Sequence, residues 1–180
     1  MRAPFPEPQA ILNTLAFQPL DRVTPAAIET LLDAAFGADR RQRTAYRLRE
    51  GVAAVPHLSF ALEDRHGLMA TVQSWPVELR HPGGAELLLL LGPIAVRPDR
   101  QQAGLGRAIT AHALAAIDRA GESATVLIGD PEYYGRFFGF TADGTSGWTL
   151  PGPVERRRLL VRLTGGRVLP AQGRLQPRGG

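Results

Sequence analysis

The stretch QQAGLG, residues 101–106, combines residue types and a spacing that suit the binding of a phosphate group. It lies between a continuous apolar run and apolar residues at helical spacing, which places it where a strand leads into a helix. The first N–H groups of a helix lack intrahelical partners and carry partial positive charge. Gly104 and Gly106 have no Cβ and would let an anion approach that backbone. The pattern therefore predicts an anion cradle; the alternative is that the glycines only ease a tight turn.

Three arginines beside this stretch, Arg97, Arg100 and Arg107, are expected to hold further phosphates. Two other phosphate-binding motifs are excluded. The dinucleotide-binding spacing G-x-G-x-x-G fails because Ile109 stands where the third glycine is needed. A P-loop fails because the chain has no lysine, all 21 basic residues being arginine.

The composition limits the class of protein. With 180 residues, 44% of them hydrophobic and 21% charged, the chain has the size and balance of one globular domain. It has no cysteine, which excludes disulfides, a thiol nucleophile and thiolate metal ligands, and we expect no metal. The N-terminus lacks a signal-peptide pattern and no apolar run is long enough to span a membrane. We therefore expect a cytoplasmic protein without a membrane partner.

The positive charge of the chain is modest, at +4, and its arginines are scattered apart from Arg40–Arg41 and Arg156–Arg158. Aromatic residues make up 7% of the chain and do not interleave with these clusters. Nucleic-acid-binding proteins concentrate charge on one face beside aromatic platforms. We therefore expect no nucleic-acid partner, because a small anionic ligand would use the same charge more simply. A nucleic-acid-binding domain that uses Arg156–Arg158 is kept as a third interpretation.

Several elements must position the cradle. Thr24 caps a predicted helix that has Pro25 at its first position and ends at Gly37. The other elements of the first half are a strand at 13–20, a second helix at 41–50, and strands at 57–64 and 68–79 joined by a hairpin turn at Arg65-His66-Gly67.

The run at 85–96 does not alternate, so it predicts a central strand that is buried on both faces. Gly92-Pro93 interrupts it, as at a bulge or a close approach. The pattern as a whole predicts a single domain at 1–180, with a core at about 14–163, of the α/β (α+β) class. The elements after the cradle are a helix ending at Gly121, a strand at 124–129, a helix at 130–140 that starts with Asp130-Pro131, a strand at 158–163, and a Gly- and Pro-rich tail at 165–180 without a predicted element.

The buried strand, the turn Val96-Arg97-Pro98, the pattern Gln101-x-x-Gly104-x-Gly106 and the following helix together resemble the acyl-CoA-binding motif of the GNAT superfamily of N-acetyltransferases. The segment VLIGDPEYYGRFFGF is similar to a group of small bacterial predicted acetyltransferases with a Gly-Asp-Pro-x-Tyr-Tyr motif, and LPGPVERRRLLVRL resembles the end of that group. The resemblance covers about residues 14–163 and is strongest over 87–140. It implies a GNAT-like mixed, mostly antiparallel central sheet of about six to seven strands flanked by about four helices.

The resemblance implies acetyl-CoA as the co-substrate. The edge of the central strand would pair with the pantetheine amides, and backbone N–H groups of the cradle would hold the pyrophosphate. Strand N–H groups near Ile94 would stabilise the oxyanion of the acetyl carbonyl. The implied cofactor-binding residues are Ile94, Ala95, Val96, Gln101, Gln102, Ala103, Gly104, Leu105, Gly106 and Arg107.

The resemblance also implies a tyrosine general acid that protonates the departing CoA thiolate. Counting forward from Asp130-Pro131 selects Tyr134, with Tyr133 as the second candidate. Counting back from Gly139-Phe140 selects Gly135 instead, so the segment contains one residue more than expected. The alternative is that both tyrosine rings only pack against their neighbours.

The general base is left open. Some members of the superfamily carry a glutamate on the central strand at the position where this chain has Leu90. His112 lies on the apolar face of the predicted helix and is expected to be a core histidine rather than a catalyst. The remaining candidates are solvent water, His57, Glu63, Asp64 and His66.

The resulting hypothesis is an acetyl-CoA-dependent N-acetyltransferase in which a neutral amine attacks the thioester directly. The alternative is a non-catalytic acyl-CoA-binding or regulatory module on the same fold. The acceptor is left open among a peptide N-terminus, a lysine side chain, a polyamine, an aminoglycoside and a small metabolite. Loops at 37–49, 79–86 and 141–148 are expected to select it, with Trp75 and Trp148 as candidate pocket residues. The oligomeric state is open too, a homodimer included.

Overall fold

The computed structural model describes residues 15–179, so the predicted strand at 13–20 falls partly outside the described residues. The strands are β1 (Gln18–Pro19), β2 (Phe60–Asp64), β3 (Gly67–His81), β4 (Gly84–Val96), β5 (Ala124–Ile128), β6 (Gly147–Thr149), β7 (Leu159–Leu163) and β8 (Gln172–Pro177). The α-helices are α1 (Pro25–Phe36), α2 (Thr44–Arg47), α3 (Leu105–Arg119) and α4 (Pro131–Phe138). Short 3-10 helices lie at Leu20–Arg22, Ala38–Gln42, Pro56–Leu58, Pro98–Ala103 and Arg156–Arg158.

Capping residues set the ends of α1 and α4. The hydroxyl of Thr24 accepts the N–H of Ala27, and Gly37 ends α1 with a φ of 86°. The carboxylate of Asp130 accepts the N–H of Glu132 at the start of α4. A side-chain cap of this kind contributes about 1 kcal/mol. Both helices begin as their sequence signals predict.

The helix predicted at 41–50 is wrong in its extent. The segment forms the 3-10 helix Ala38–Gln42 and the single turn α2, separated by Arg43 with a ψ of 147°. The side chain of Arg40 is buried and binds Asp33 of α1, with 2.7 Å between Nε and Oδ1. This ion pair holds the segment against α1. The local hydrophobic period does not indicate such an ion pair, so the sequence pattern could not predict it.

The strands form one mixed sheet in the order β1-β2-β3-β4-β5-β7. Neighbours in this order are antiparallel except β4 and β5, which run parallel. One edge of β3 has two partners, β2 along its first half and β8 along its second. β6 pairs with β8. The mixed, mostly antiparallel sheet is confirmed, and its eight strands exceed the expected number.

β8 lies in the tail for which the sequence predicts no element. Of its six residues, Leu175 is the buried one. A single apolar position gives no period, so the hydrophobic pattern carries no strand signal there. The strand is held by its backbone pairing with β3 and β6, and the folded sheet therefore continues past residue 163.

β4 is buried on both faces over Leu88–Leu91, as its sequence predicts, whereas Leu87 is 44% exposed. Leu89 and Leu91 pack with α3 on one face, and Leu88 and Leu90 pack with Trp148 on the other. Truncation of a buried leucine to alanine costs about 2–5 kcal/mol. β4 is therefore a rigid base for whatever lies at its end.

β4 and β5 pair at only two positions, ending at Leu90 and Val126. Immediately beyond, a bulge at Gly92 and Pro93 shifts the register of β4 against β3. The indole N–H of Trp75 on β3 donates to the carbonyl of Gly92 at 2.8 Å. The two parallel strands therefore separate, and within residues 15–179 the last three residues of β4 have no strand partner on the β5 side. This fork positions the candidate site.

Candidate active site

The predicted cradle lies at the start of α3. Gly104 has a φ of 74° and occupies the N-cap position without a capping side chain. The N–H of Ala108 donates to the carbonyl of Gly104 at 3.0 Å, so the three residues between them precede the first intrahelical bond. A Cβ at Gly104 would meet no atom within 4 Å. The backbone here is therefore open to an approaching anion.

A cavity of about 450 Å³, the loop cavity, lies at this helix start. Three of the predicted cofactor-binding residues contribute no side chain to it, because Ala95 and Leu105 are buried in the core and Ala103 packs against that core. They can take part only through their backbone, which is the role that the resemblance implies. The predicted residues that do line the loop cavity are Ile94, Val96, Gln101, Gln102, Gly104, Gly106 and Arg107.

Two of the three neighbouring arginines are already paired. Arg97 and Arg100 both bind Asp64, at 3.0 and 3.2 Å. The hydrogen bond from Arg97 lowers the pKa of Asp64 to about 2, so this carboxylate stays charged and keeps its partners. The expectation that Arg97 and Arg100 hold phosphates stays a prediction, and this pairing does not favour it. Of the three arginines, Arg107 lines the loop cavity, where its guanidinium lies 5.1 Å from the centroid of the Phe137 ring.

A second cavity of about 700 Å³, the fork cavity, lies between the diverging ends of β4 and β5. Its other walls come from the segment between α1 and β2, from the start of α4 and from residues 153–158. The two cavities share Phe36 and Ile94 as lining residues. The two cavities are therefore neighbours along the edge of β4.

The two candidate tyrosines line different cavities, Tyr134 the fork cavity and Tyr133 the loop cavity. Their rings meet edge to face with centroids 5.0 Å apart. Burial raises the pKa of the Tyr134 hydroxyl to about 12. Tyr134 therefore keeps its proton at neutral pH, as a general acid must.

Gly129 determines where the ring of Tyr134 lies. A Cβ at Gly129 would stand 2.5 Å from Cε2 of Tyr134 and 2.8 Å from Cδ1 of Leu127. The phenol ring therefore packs directly on the backbone at the end of β5. Only glycine permits so close a contact, which links this residue of the sequence to the placement of the candidate acid.

A protein-family model described as an acetyltransferase (GNAT) domain matches residues 24–142. The chain belongs to this GNAT family. The matched range includes every residue that lines the loop cavity, whereas the wall of the fork cavity at 153–158 lies beyond it. No curated protein matches the sequence.

Solved structures of GNAT proteins share this fold. A GNAT family N-acetyltransferase (YhbS) from Escherichia coli in complex with CoA has a TM-score of 0.68 at 22% identity, over 91% of this chain and 89% of its own. A GNAT family acetyltransferase from Brucella melitensis in complex with acetyl-CoA has a TM-score of 0.64 at 23% identity, over 92% of this chain and 96% of its own. At these identities the likeness concerns the fold, and the predicted GNAT-like fold is confirmed.

The side chains proposed as a general base do not line the fork cavity of this GNAT protein. Asp64 is held by two arginines, Glu63 accepts a hydrogen bond from Gln18, and the exposed His57 lies in a 3-10 helix. The remaining candidate, His66, is exposed in the β2–β3 turn. This placement favours the alternative in which the amine loses its proton to water.

His112 is half-buried among aromatic rings rather than part of the buried core. Its ring stacks on Phe17 with a centroid distance of 4.1 Å and meets Phe60 edge to face at 4.5 Å. Burial lowers the pKa of His112, so the imidazole is neutral at neutral pH. It packs α3 against the sheet and takes no part in either cavity.

The lining of the fork cavity includes residues that the sequence analysis missed. Of the three predicted acceptor loops, 37–49 contributes to it, whereas 79–86 and 141–148 do not. Trp148 is buried in the core rather than in a pocket wall. Arg49 and Arg158 line the cavity instead. No spacing marks either arginine, because the fold brings them together from segments far apart in the chain.

The run Arg156–Arg158 does not form one basic face. Arg157 pairs with Glu132 at 3.2 Å. Arg156 donates to the carbonyl of Trp148, and Arg158 lines the fork cavity. This arrangement does not favour a nucleic-acid surface.

Within residues 15–179, no cluster of three or more His, Asp or Glu side chains has the arrangement needed to hold a metal ion. None of the helices in this range combines the length and the apolar character that crossing a membrane requires.

Proposed function

We propose that this protein transfers the acetyl group of acetyl-CoA to a primary amine, by direct attack of the amine on the thioester. The observation that carries the proposal is that the two cavities are neighbours. The cradle at the start of α3 and a fork lined by the protonated Tyr134 share Ile94 and Phe36 as lining residues. Membership of the GNAT family and the CoA complexes of similar structures support acetyl-CoA as the donor.

The loop cavity has features that fit acetyl-CoA. Backbone N–H groups from Gln102 to Arg107 would hold the pyrophosphate, and the guanidinium of Arg107 would add a charge. The free edge of β4 would receive the pantetheine amides as it would an added strand. The open space above Gly104 is what so close an approach requires.

In the fork, the nitrogen of a neutral amine attacks the thioester carbon, and the C–S bond breaks as the C–N bond forms. Backbone N–H groups near Ile94 would stabilise the negative charge on the carbonyl oxygen. Tyr134 donates its hydroxyl proton to the departing sulfur, and the proton lost by the amine passes to solvent, from which Tyr134 is reprotonated. No side chain becomes acetylated.

Calorimetric titration with acetyl-CoA tests the donor site. Gly104→Glu places a carboxylate in the cradle and should weaken binding by at least about 100-fold, because like charges then meet at the pyrophosphate. Gly121→Glu is the matched control. Gly121 has a φ of 78° against 74° for Gly104, follows the other end of α3 and likewise has no atom within 4 Å of a built Cβ. This control should bind as the wild type does; a folded wild type that does not bind acetyl-CoA contradicts the proposal.

Amine-dependent release of free CoA then separates an enzyme from a non-catalytic module. We expect release that depends on the concentration of an amine and yields the N-acetylated product by mass spectrometry. A protein that binds acetyl-CoA but transfers to no amine in a broad panel would instead favour the acyl-CoA-binding module.

A further inference from the structure

The fork cavity carries positive charge that the proposed chemistry does not use. Amines reach an active site mostly in their protonated form, and guanidinium groups repel that form. A pocket that only had to accept an amine would therefore avoid arginine. The charged residues that line the cavity are Arg40, Arg43, Arg49, Arg158, Asp130 and Glu155.

Some of these charges are neutralised inside the protein. Arg40 is held by Asp33 at 2.7 Å and also binds Glu29. Glu155 pairs with Arg157 at 3.1 Å. The charges of Arg40 and Glu155 are therefore neutralised by these partners. Asp130 is the remaining carboxylate of the lining, and it has no arginine partner among the described residues.

Arg49 is both buried and unpaired. It is 9% exposed, and no carboxylate of the described residues forms an ion pair with it. Its Nε donates to the carbonyl of Ala45 at 3.1 Å, and the hydroxyl of Tyr46 lies close enough to act on the guanidinium as a hydrogen-bond partner. The guanidinium lies 3.7 Å from the centroid of Tyr46 and 5.1 Å from that of Trp75. The aromatic faces thus hold the guanidinium in place, and no carboxylate of the described residues neutralises its charge.

A buried guanidinium without a counter-ion is costly, and burial lowers the pKa of Arg49 accordingly. The planar set of N–H donors matches a carboxylate or a phosphate, to which arginine binds through two parallel hydrogen bonds. An oxyanion brought in by a ligand would supply the partner that the fold does not.

Two exposed arginines, Arg158 and Arg43, add to the positive charge of the fork cavity. Arg158 donates to the carbonyl of Gly129 at 3.3 Å and lies close enough to Tyr134 to oppose the rise of the phenol pKa. Arg43 donates to the carbonyl of Phe36 at 3.0 Å. Neither pairs with a carboxylate of the described residues. The coenzyme phosphates do not account for these charges, because none of these arginines lines the loop cavity.

We propose that the acceptor is an amine that also carries an oxyanion, either a carboxylate or a phosphate, and that Arg49 binds this oxyanion. The inference rests on the proposed acetyl transfer and narrows its acceptor. Small α-amino acids and amino phosphonates have the required charge, whereas polyamines and aminoglycosides carry the wrong one.

Paired acceptors test the proposal with the CoA-release assay. An aliphatic, an aromatic and an acidic α-amino acid are each compared with the corresponding amide, and aminomethylphosphonate and spermidine complete the panel. The amides have the less basic amine and so the larger neutral fraction, which means that the chemistry alone would favour them. We expect kcat/KM to be at least about tenfold higher for an anionic acceptor than for its amide. Comparison of kcat/KM for the amino acids with that for aminomethylphosphonate distinguishes a carboxylate from a phosphonate as the bound oxyanion.

Arg49→Gln should lower kcat/KM for the anionic acceptor by about 30-fold, whereas kcat/KM for the amide should change by no more than about twofold. The affinity for acetyl-CoA should be unchanged. Arg47→Gln is the control, because Arg47 is exposed and lies outside the cavity lining. Arg158→Gln gives a second test at an exposed position where folding is not at risk, with an expected loss of about fivefold.

The outcomes separate the two proposals. A wild type that fails to bind acetyl-CoA overturns the proposed function and this inference with it. Binding of acetyl-CoA with a preference for amides or spermidine overturns the inference alone. If no acceptor turns over, the same pairs are titrated calorimetrically into the CoA-saturated protein, where equal affinity for the acid and its amide would overturn the inference.

Discussion

The two cavities would recognise their proposed ligands by different means. The loop cavity depends on backbone N–H groups at one helix start, with glycines that keep side chains away from it. The fork cavity depends on side chains, the guanidinium of Arg49 and the phenol of Tyr134, that separate parts of the chain contribute. A backbone site is suited to one constant ligand, such as a coenzyme, since no single substitution removes its donors. A side-chain site can change its ligand by one substitution, and the acceptor side of the molecule is built in that way.

The tyrosine pair tests this division most strongly. Tyr134→Phe should lower kcat by about 100-fold, because it removes the proton donor and leaves the ring packing intact. Acetyl-CoA affinity should stay within about twofold of the wild type. Tyr133→Phe should leave kcat near normal, because this ring lines the loop cavity. Steady-state kinetics and calorimetry on both variants decide the matter, and equal losses of kcat would remove the distinction between the cavities.

Gly129→Ala should affect the same proton donor by displacing the ring of Tyr134. A Cβ at this position would stand 2.5 Å from Cε2 of Tyr134, so the phenol ring must shift from its position in the fork cavity. We expect kcat to fall by about tenfold while acetyl-CoA binding persists. Gly179→Ala is the control, since a Cβ at Gly179 meets no atom within 4 Å. A fully active Gly129→Ala protein would show that the position of the ring does not matter.

An arginine pair tests the loop cavity and should give the smallest change. Arg107→Gln should weaken acetyl-CoA binding about fivefold, with a reduced dependence on salt, because one guanidinium near the phosphates is lost. Arg100→Gln should leave the affinity unchanged, since Arg100 is held by Asp64. Titrations at two salt concentrations measure both effects. A larger loss from Arg100→Gln would mean that its ion pair opens to receive the coenzyme.

The cradle of the loop cavity could be anticipated from the sequence because its residues are consecutive, whereas Phe36 and Phe137, which also line the cavity, come from other helices. Gly104, Gly106 and the neighbouring glutamines lie within six consecutive residues, 101–106. The apolar run before them and the helical spacing of apolar residues after them are clear in the sequence. The acid was narrowed to two neighbouring tyrosines, and the structure places them in different cavities. Their roles in catalysis stay predictions.

Two arginines of the fork cavity could not be anticipated, for a physical reason. Arg49 and Arg158 meet across the fold, and no local spacing records such a meeting. The pairing of Arg97 and Arg100 with Asp64 was missed for the same reason, because it joins the β2–β3 hairpin to the segment before α3. Backbone sites leave a pattern in sequence, whereas charge pairing across a fold does not.

The strand β8 has a consequence for how these molecules behave towards one another. It covers Val77–Arg80 of β3, where Val77 and Leu79 are fully buried. Without that cover, β3 would present a row of unpaired N–H and C=O groups beside apolar side chains, which is a template for joining a second chain. β8 lines neither cavity, so loosening it would leave the chemistry intact and show itself as self-association, visible as light scattering on mild heating. Solubility and catalysis are thus assigned to different parts of one sheet.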